Sequence, residues 1–484
     1  MACLIAAPCS GSGKTLLSLT LAAVAGRRGE SLQPFKVGPD YLDPQLLSAV
    51  AGLPCRNLDP ILCGERWLRD CFHWHGSRAD RALVEGVMGL FDGRGPGSEG
   101  SSAGVAALLD LPVVLVVEAS RQAGSLAALV RGFRDHGPPR VRLSGVVLNR
   151  VGSERHRQLL AEALASIEVP LLGVLPAHPA LDLPSRHLGL LPPAELLDLA
   201  ERQAIWAELA ERHLDLERLW PLLSPPPAGE DPVRRLFPQA SGTTTTRVAV
   251  AADAAFHFRY PETTELLEAA GLQPRPWSPL ADEALPPGTA AVLLPGGYPE
   301  LHAEQLSQCR RSLTSLATAA RGGLPLVAEC GGLLLLGESL EDARGRSHAM
   351  AGVLPFRAAK GELSLGYRQA SADRDGLLVR RGEVLAGHEF HRWQLRGSGL
   401  AGPEVPSEGW GSRAPLWRLE GWGSPSRPEG WSGAHLHASW LHLHWAGAPA
   451  LVERFAAAAR RTSGLGALTG GPRDSPGLAT SVAD

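Results

Sequence analysis

Leu4-Ile5-Ala6-Ala7-Pro8-Cys9-Ser10-Gly11-Ser12-Gly13-Lys14-Thr15 stands at the start of the chain, and an apolar helical pattern follows over 16–27. A short apolar run that ends in glycines and a Gly-Lys-Thr tail, and then opens a helix, is what a phosphate-binding loop requires. Glycines let backbone N–H groups bend around phosphate oxygens, and the helix start adds partial positive charge. Gly11, Ser12, Gly13, Lys14 and Thr15 are therefore the expected nucleotide contacts. Lys14 would reach the terminal phosphates, and Thr15 would ligate Mg²⁺. Pro8 stands where this motif usually carries its leading glycine.

Apolar runs at 83–87, 113–117, 145–148 and 171–175 continue the pattern, with helical periodicity between them, as at 155–167. That alternation predicts a parallel sheet with helices on both faces. Pro225-Pro226-Pro227-Ala228-Gly229 and the threonines at 243–246 read as a linker, after which the pattern restarts. Strands are expected at 247–251, 290–294 and 324–328, and a helix at 262–270. The expected fold is α/β, with two doubly wound domains at 1–195 and 247–455. Between them, 196–246 is a helical segment and linker. The stretch 397–433, rich in Gly, Pro, Ser and Trp, reads as an inserted loop, and 456–484 as a disordered tail.

Composition excludes more than it selects. Among 484 residues, 47 Lys and Arg oppose 50 Asp and Glu, a formal charge of −3, so neither nucleic acid nor a membrane surface is expected as a partner. The apolar start is short and lacks a basic leader, unlike a signal peptide. Seven cysteines, an odd number in a chain this long, suit a reducing, cytoplasmic compartment. Cys55, Cys63 and Cys71 are spaced by eight, unlike paired metal-binding loops, and are expected to be buried.

A magnesium ion needs further oxygen ligands. Glu85 ends an apolar strand, where the carboxyl ends of parallel strands face the phosphate loop. Asp40 and Asp43 lie in Phe35-Lys36-Val37-Gly38-Pro39-Asp40-Tyr41-Leu42-Asp43. Thr15, Asp40 and Glu85 are the expected ligands. The bland alternative has Asp40 and Asp43 shaping a turn before Pro44, and Asp92 capping a loop before Gly93.

In the second half, the predicted strand 324–328 leads through Glu329 into Cys330-Gly331-Gly332 and an apolar helix start. A cysteine in such a bend is expected to be exposed, with a thiol pKa lowered by the helix start. Gly296 and Gly297 follow another strand, and with Gly331 they could offer N–H groups to an oxyanion. His435, His437, His442 and His444 supply a candidate base. In one continuous strand the first two would point opposite to the last two, which argues against a metal cluster.

Five stretches together resemble the cobyrinic acid a,c-diamide synthase family. They are Phe35-Lys-Val-Gly-Pro-Asp-Tyr-Leu-Asp, Glu85-Gly-Val-Met-Gly-Leu-Phe-Asp-Gly, Arg186-His-Leu-Gly-Leu, Ala328-Glu-Cys-Gly-Gly and Gly387-His-Glu-Phe-His. The resemblance implies a dethiobiotin-synthetase-like ATP domain fused to a class I glutamine amidotransferase domain. Its implied substrates are ATP, glutamine and a cobalt corrinoid whose a and c acetates become amides. It selects Cys330 as nucleophile and His442 as the histidine that activates it. Lys36, Tyr41, Leu42, Asp43 and Asp92 become candidate substrate contacts, and a homodimer is left open. Two departures stand out. His444 occupies the place where many class I relatives carry a glutamate, and Ser185 stands where a glutamate is expected. Rival readings keep the chemistry on hydrogenobyrinate or a nickel tetrapyrrole, or make the chain a regulatory P-loop ATPase, which would have no use for Cys330 beside an oxyanion loop.

Overall fold

The computed structural model describes residues 2–186, 189–238, 246–396 and 415–469. In the N-terminal half, seven strands form one parallel sheet. Their order is Arg56–Leu58, Leu32–Val37, Arg81–Glu85, Cys3–Ala6, Pro112–Glu118, Arg142–Val151 and Leu171–Pro176. Cys3–Ala6 is buried throughout and feeds the phosphate loop, which opens the helix Lys14–Arg27. This helix is apolar nearly all round, as a helix covered on every side must be. It lies between the sheet and the helix Leu199–His213, whose Trp206, Ala207 and Ala210 join the same core.

The segment 196–246 is therefore packed rather than free where it is described. Pro226 is buried against the helix Gly64–Gly76, so a side chain at Gly76 would meet it at 2.7 Å. The short helix Pro232–Leu236 begins from Asp231, whose carboxylate accepts from Val233 and Arg234 N–H.

The C-terminal half holds a second sheet in the order Gln273–Trp277, Arg247–Ala251, Thr289–Leu294, Leu326–Glu329, Leu436–Ser439 and Trp431–Ser432. Its first five strands are parallel. Register brings Leu294 beside Ala328, and Glu329 beside Ser439, so three strand ends open at one edge.

Two expectations are overturned here. The stretch expected as an inserted loop contains the strands Trp417–Gly421, Ser424–Glu429 and Trp431–Ser432, while 397–414 lies outside the described residues. Trp417 and Leu419 are buried against the long strand Arg357–Ala372, which outweighs the turn-rich composition. The tail expected from residue 456 is instead helical to the end of Pro449–Thr469, because Phe455, Ala456 and Ala459 pack into the core; 470–484 lies outside the described residues.

Between the edge strands Ser347–Ala349 and Ser424–Glu429 runs a third, mixed sheet that the sequence did not suggest. Its longest hairpin pairs Arg357–Ala372 with Val384–Arg396 and sets Tyr367 opposite His388. The hairpin reaches both halves. Tyr367 Oη donates to Asp59 at 2.9 Å, and His388 exchanges two backbone hydrogen bonds with His442.

Candidate active sites

The first site lies at the carboxyl ends of Cys3–Ala6, Leu32–Val37 and Arg81–Glu85. Register sets Glu85 between Ile5 and Lys36. Gly11 and Gly13 have φ of +81° and +112°, so the loop uses conformations that side chains resist. Ser12 O accepts from Asn149 Nδ2 at 3.1 Å, a support from the strand Arg142–Val151 that sequence reading missed. Lys14 Nζ donates to the carbonyl of Met88 at 2.6 Å, and Met88 itself has a φ of +46°.

Around Thr15 the acids differ in part from the expected set. Thr15 Oγ1 donates to Glu85 Oε1 at 2.7 Å and to Asp43 Oδ2 at 3.3 Å. Asp40 instead accepts from the N–H groups of Leu42 and Asp43, which is the turn-shaping role. Lys36 is buried among all three carboxylates, at 2.6 Å from Asp43, 2.7 Å from Glu85 and 3.6 Å from Asp40. Burial alone would lower its pKa, but Asp43 and Glu85 hold it well above the ordinary value. Burial, then the charge of Asp43, push Asp40 up to about 7. Burial likewise raises Glu85.

Three carboxylates thus share one ammonium, and Glu85 Oε2 is buried without a hydrogen-bond partner. That surplus of negative oxygen beside a hydroxyl and a phosphate loop fits a divalent cation bound jointly by protein and phosphate. Among the described residues no group of three or more His, Cys, Asp and Glu side chains is arranged to hold a metal by itself.

These residues open on a cavity of about 1210 Å³, which Lys14, Asp40, Asp43 and Asp92 line from the N-terminal half. Leu42 lines it too, although buried, and Tyr41 stands at its inner wall. From the other half come Phe258, Tyr298, Leu365, Arg368, His388 and Trp422. Met88, Leu365 and Trp422, exposed by 43, 51 and 71%, give it an apolar face. Ser185 and Arg186 are described in backbone only, and His187 and Leu188 lie outside the described residues, so the departure at Ser185 meets no contact here.

The second site lies where Leu326–Glu329 turns into the helix Gly331–Leu335. Cys330 has φ +46° and ψ −104°, a strained elbow for a non-glycine residue. Its N–H donates to Ser439 O at 2.8 Å, and its Sγ lies 3.9 Å from Phe390 O. The expected exposure and low thiol pKa are not found. Cys330 is 5% exposed, and burial followed by the charge of Glu300 pushes the thiol up, against an opposing hydrogen bond from Gly331. A five-residue helix offers too little field to outweigh that burial.

Gly296 and Gly297 lie between Cys330 and the His442 imidazole. A side chain at Gly296 would stand 2.4 Å from His442 Cε1, and one at Gly331 would stand 2.8 Å from Gly297 N. The strand carrying His437 ends at Ser439, so His442 and His444 follow a bend. His442 is 1% exposed, and burial pushes it down to about 3. His444 packs on Tyr260 and approaches Glu262, with no hydrogen bond from either ring nitrogen. The carboxylate beside His442 is Glu329, 4.0 Å from Nδ1.

Tyr41 crosses between the sites. Its ring lies 5.3 Å from Phe258, 4.7 Å from Tyr260 and 5.1 Å from His442. A small void of about 10 Å³, lined by Tyr41, Phe258, Tyr260, Glu329, Leu443 and Trp445, shares its first two walls with the large cavity.

Comparison with known proteins divides the chain in the same way. Residues 3–191 match a CobQ/CobB/MinD/ParA nucleotide binding domain, and residues 247–450 match a CobB/CobQ-like glutamine amidotransferase domain. The cobyrinate a,c-diamide synthase of Synechococcus sp. is 42% identical over 96% of this chain and 100% of its own length. The chain belongs to the cobyrinate a,c-diamide synthase family. Like that family, it is a glutamine-dependent ligase with an N-terminal nucleotide-binding half. A family member from Gloeobacter violaceus is 45% identical over 94% of this chain and 96% of its own. The hydrogenobyrinate a,c-diamide synthase of Streptomyces coelicolor is 42% identical, covering 93% of this chain and 96% of its own.

Proposed function

We propose that this enzyme converts the a and c acetates of cobyrinate to amides, using ATP and glutamine. The observation that carries the reading is one cavity shared by a phosphate loop and the face of a glutamine amidotransferase domain. A cavity for one small ligand holds about 300–1,000 Å³. This one has room for a nucleotide beside a second, larger ligand. Its apolar wall of Met88, Leu365 and Trp422 suits the face of a macrocycle.

At the second site Cys330 attacks the side-chain carbonyl of glutamine, and its proton passes to His442. Backbone N–H groups of Gly297 and Gly331 receive the oxyanion. His442 returns the proton to nitrogen as the C–N bond breaks, releasing ammonia. Water then cleaves the thioester to glutamate and frees the thiol. At the first site the γ-phosphoryl of ATP passes to a substrate carboxylate, giving an acyl phosphate and ADP. Ammonia displaces phosphate and sheds a proton as the amide forms. Lys14 and the loop N–H groups hold the phosphates. Thr15, Glu85 and Asp43 would hold Mg²⁺, which neutralises phosphate charge when bound. Asp40 fixes the loop, Lys36 keeps the acids in register, and Leu42 and Asp92 border the acceptor carboxylate.

Ammonia must arrive unprotonated, since ammonium has no lone pair. The void beside Glu329 and Tyr41 is about one small molecule in size and abuts the large cavity. It is the proposed route, with Tyr41 at its exit. ATP consumption and unpaired cysteines suit the cytoplasm.

The test compares wild type with Cys330→Ser. The variant should lose glutamine-dependent synthesis by at least about 100-fold and keep synthesis from ammonium chloride. Equal use of glutamine by both proteins refutes the assignment. The equal identity to a hydrogenobyrinate enzyme favours one second reading, the metal-free ring. A panel of cobyrinate, hydrogenobyrinate and nickel sirohydrochlorin ranks the rings by kcat/KM.

A further inference from the structure

The position two residues beyond His442, where an acid would complete a Cys-His-Glu triad, holds His444. Its ring lies tilted against Tyr260 at 4.5 Å and edges toward Trp67 at 6.3 Å. Its Nε2 faces Glu262 at 4.0 Å, within the seam between the two halves. It has no acceptor oxygen to offer an imidazole N–H.

His442 Nδ1 is nevertheless in need of a partner. It is buried and makes no hydrogen bond in the structure. Among the described residues one carboxylate comes within 4.0 Å of a His442 nitrogen, that of Glu329 through Oε2. Other acids in the region are spent or placed elsewhere. Glu389 is fully buried and its charge reaches the imidazole, but it is paired with Arg368 at 2.7 Å and with Arg427.

Glu329 is also held in place. It is 7% exposed, Trp445 Nε1 donates to its Oε1 at 3.2 Å, the Leu443 backbone N–H also holds the carboxylate, and Oε2 is the oxygen that faces the histidine. Its backbone is the last residue of the strand that delivers Cys330 and pairs in register with Ser439. One peptide bond therefore separates it from the nucleophile. The imidazole reaches it from the neighbouring strand end.

We propose that Glu329 is the positioning acid for His442, replacing the triad glutamate that this chain lacks. It accepts from Nδ1–H, so that Nε2 presents its lone pair to the Cys330 thiol. When the thiol proton moves to Nε2 and the C–S bond forms, the carboxylate faces the new imidazolium. When the proton leaves with ammonia, the imidazole returns to the same tautomer. The acid of a triad is recognised by this role and not by its place in the sequence. The inference rests on the reading that Cys330 and His442 release ammonia from glutamine.

The test is Glu329→Gln beside Glu329→Asp, with wild type and Cys330→Ser as references. Gln keeps shape and the Trp445 hydrogen bond, but its amide can present N–H to Nδ1 and favour the wrong tautomer. We expect glutaminase kcat to fall by about 100-fold or more, with KM for glutamine within about threefold of wild type. Glu329→Asp, which keeps the charge on a shorter arm, should recover part of kcat. Synthesis from added ammonium chloride, whose ammonia can enter the large cavity directly and bypass the void beside Glu329, should stay within about twofold in both variants. A Glu329→Gln kcat within about threefold of wild type overturns the proposal. So does a variant that loses ammonia-dependent synthesis as fully as glutamine-dependent synthesis, since Glu329 would then be structural. Failure of the underlying reading is separately visible, as glutamine use by Cys330→Ser.

Discussion

At the strand end that carries Cys330, burial disfavours the charged form of two adjacent side chains. The Cys330 thiol is raised, and Glu329 is pushed up to about 8 from 4.5. A carboxyl with a raised folded pKa stabilises the fold most below its unfolded pKa and loses that contribution as pH rises through the folded value. Wild type should therefore lose stability between about pH 4.5 and 8 through this residue. Gln cannot ionise, so the Tm of Glu329→Gln relative to wild type should be higher at pH 8.5 than at pH 5. A Tm difference independent of pH would contradict this. Such a residue is hard to find by reading a sequence. Glu329 precedes a cysteine and has no partner nearby along the chain; the imidazole that faces it follows the bend after a strand added much later. The expectation for His442 came from its family pattern, and that for Cys330 from the glycines around it. Asp43, by contrast, read as a substrate contact because spacing does not reveal which acid of a turn faces Thr15.

The elements most easily read were those whose burial is uniform. Arg247–Ala251 and Thr289–Leu294 are apolar almost throughout and fall where alternation predicts them. Leu32–Val37 is just as buried, yet carries Gln33, Pro34 and Lys36, so it did not read as a strand. Its polar content is the consequence of building an ion cluster at its end. The loop after Thr289–Leu294 shows how little room the second site leaves. An added methyl at Gly296 would press on His442 Cε1, and a misplacement of about 1 Å can cost 100-fold. Gly296→Ala should lower glutamine-dependent kcat by about that factor and leave ammonia-dependent synthesis near wild type. Parallel loss of both rates would place the damage in the fold instead.

Across the whole molecule, the two halves are joined by buried polar contacts as well as by chain. Arg56 pairs with Glu265 at 2.7 Å and Glu262 at 3.4 Å, and Asp59 accepts from Tyr367. Arg56→Met leaves Glu262, 1% exposed, without its guanidinium, a loss of about 3–5 kcal/mol for a buried pair broken on one side. We expect a lower Tm, and more glutamate released per amide formed as the seam loosens. A variant with unchanged Tm and unchanged product ratio would show the pair to be dispensable. The seam was invisible in the sequence because each of its charges reads alone as an ordinary surface residue.

Tyr41 gives the seam a further meaning. Its ring belongs to one half by chain and to the other by packing, stacked on Phe258 and tilted against Tyr260 and His442. A gene cut between the codons for Leu236 and Arg247 would give two polypeptides, each displaying an aromatic surface that neither can cover alone. The pair would have to be made together to stay in solution, and the fusion spares the cell that coordination.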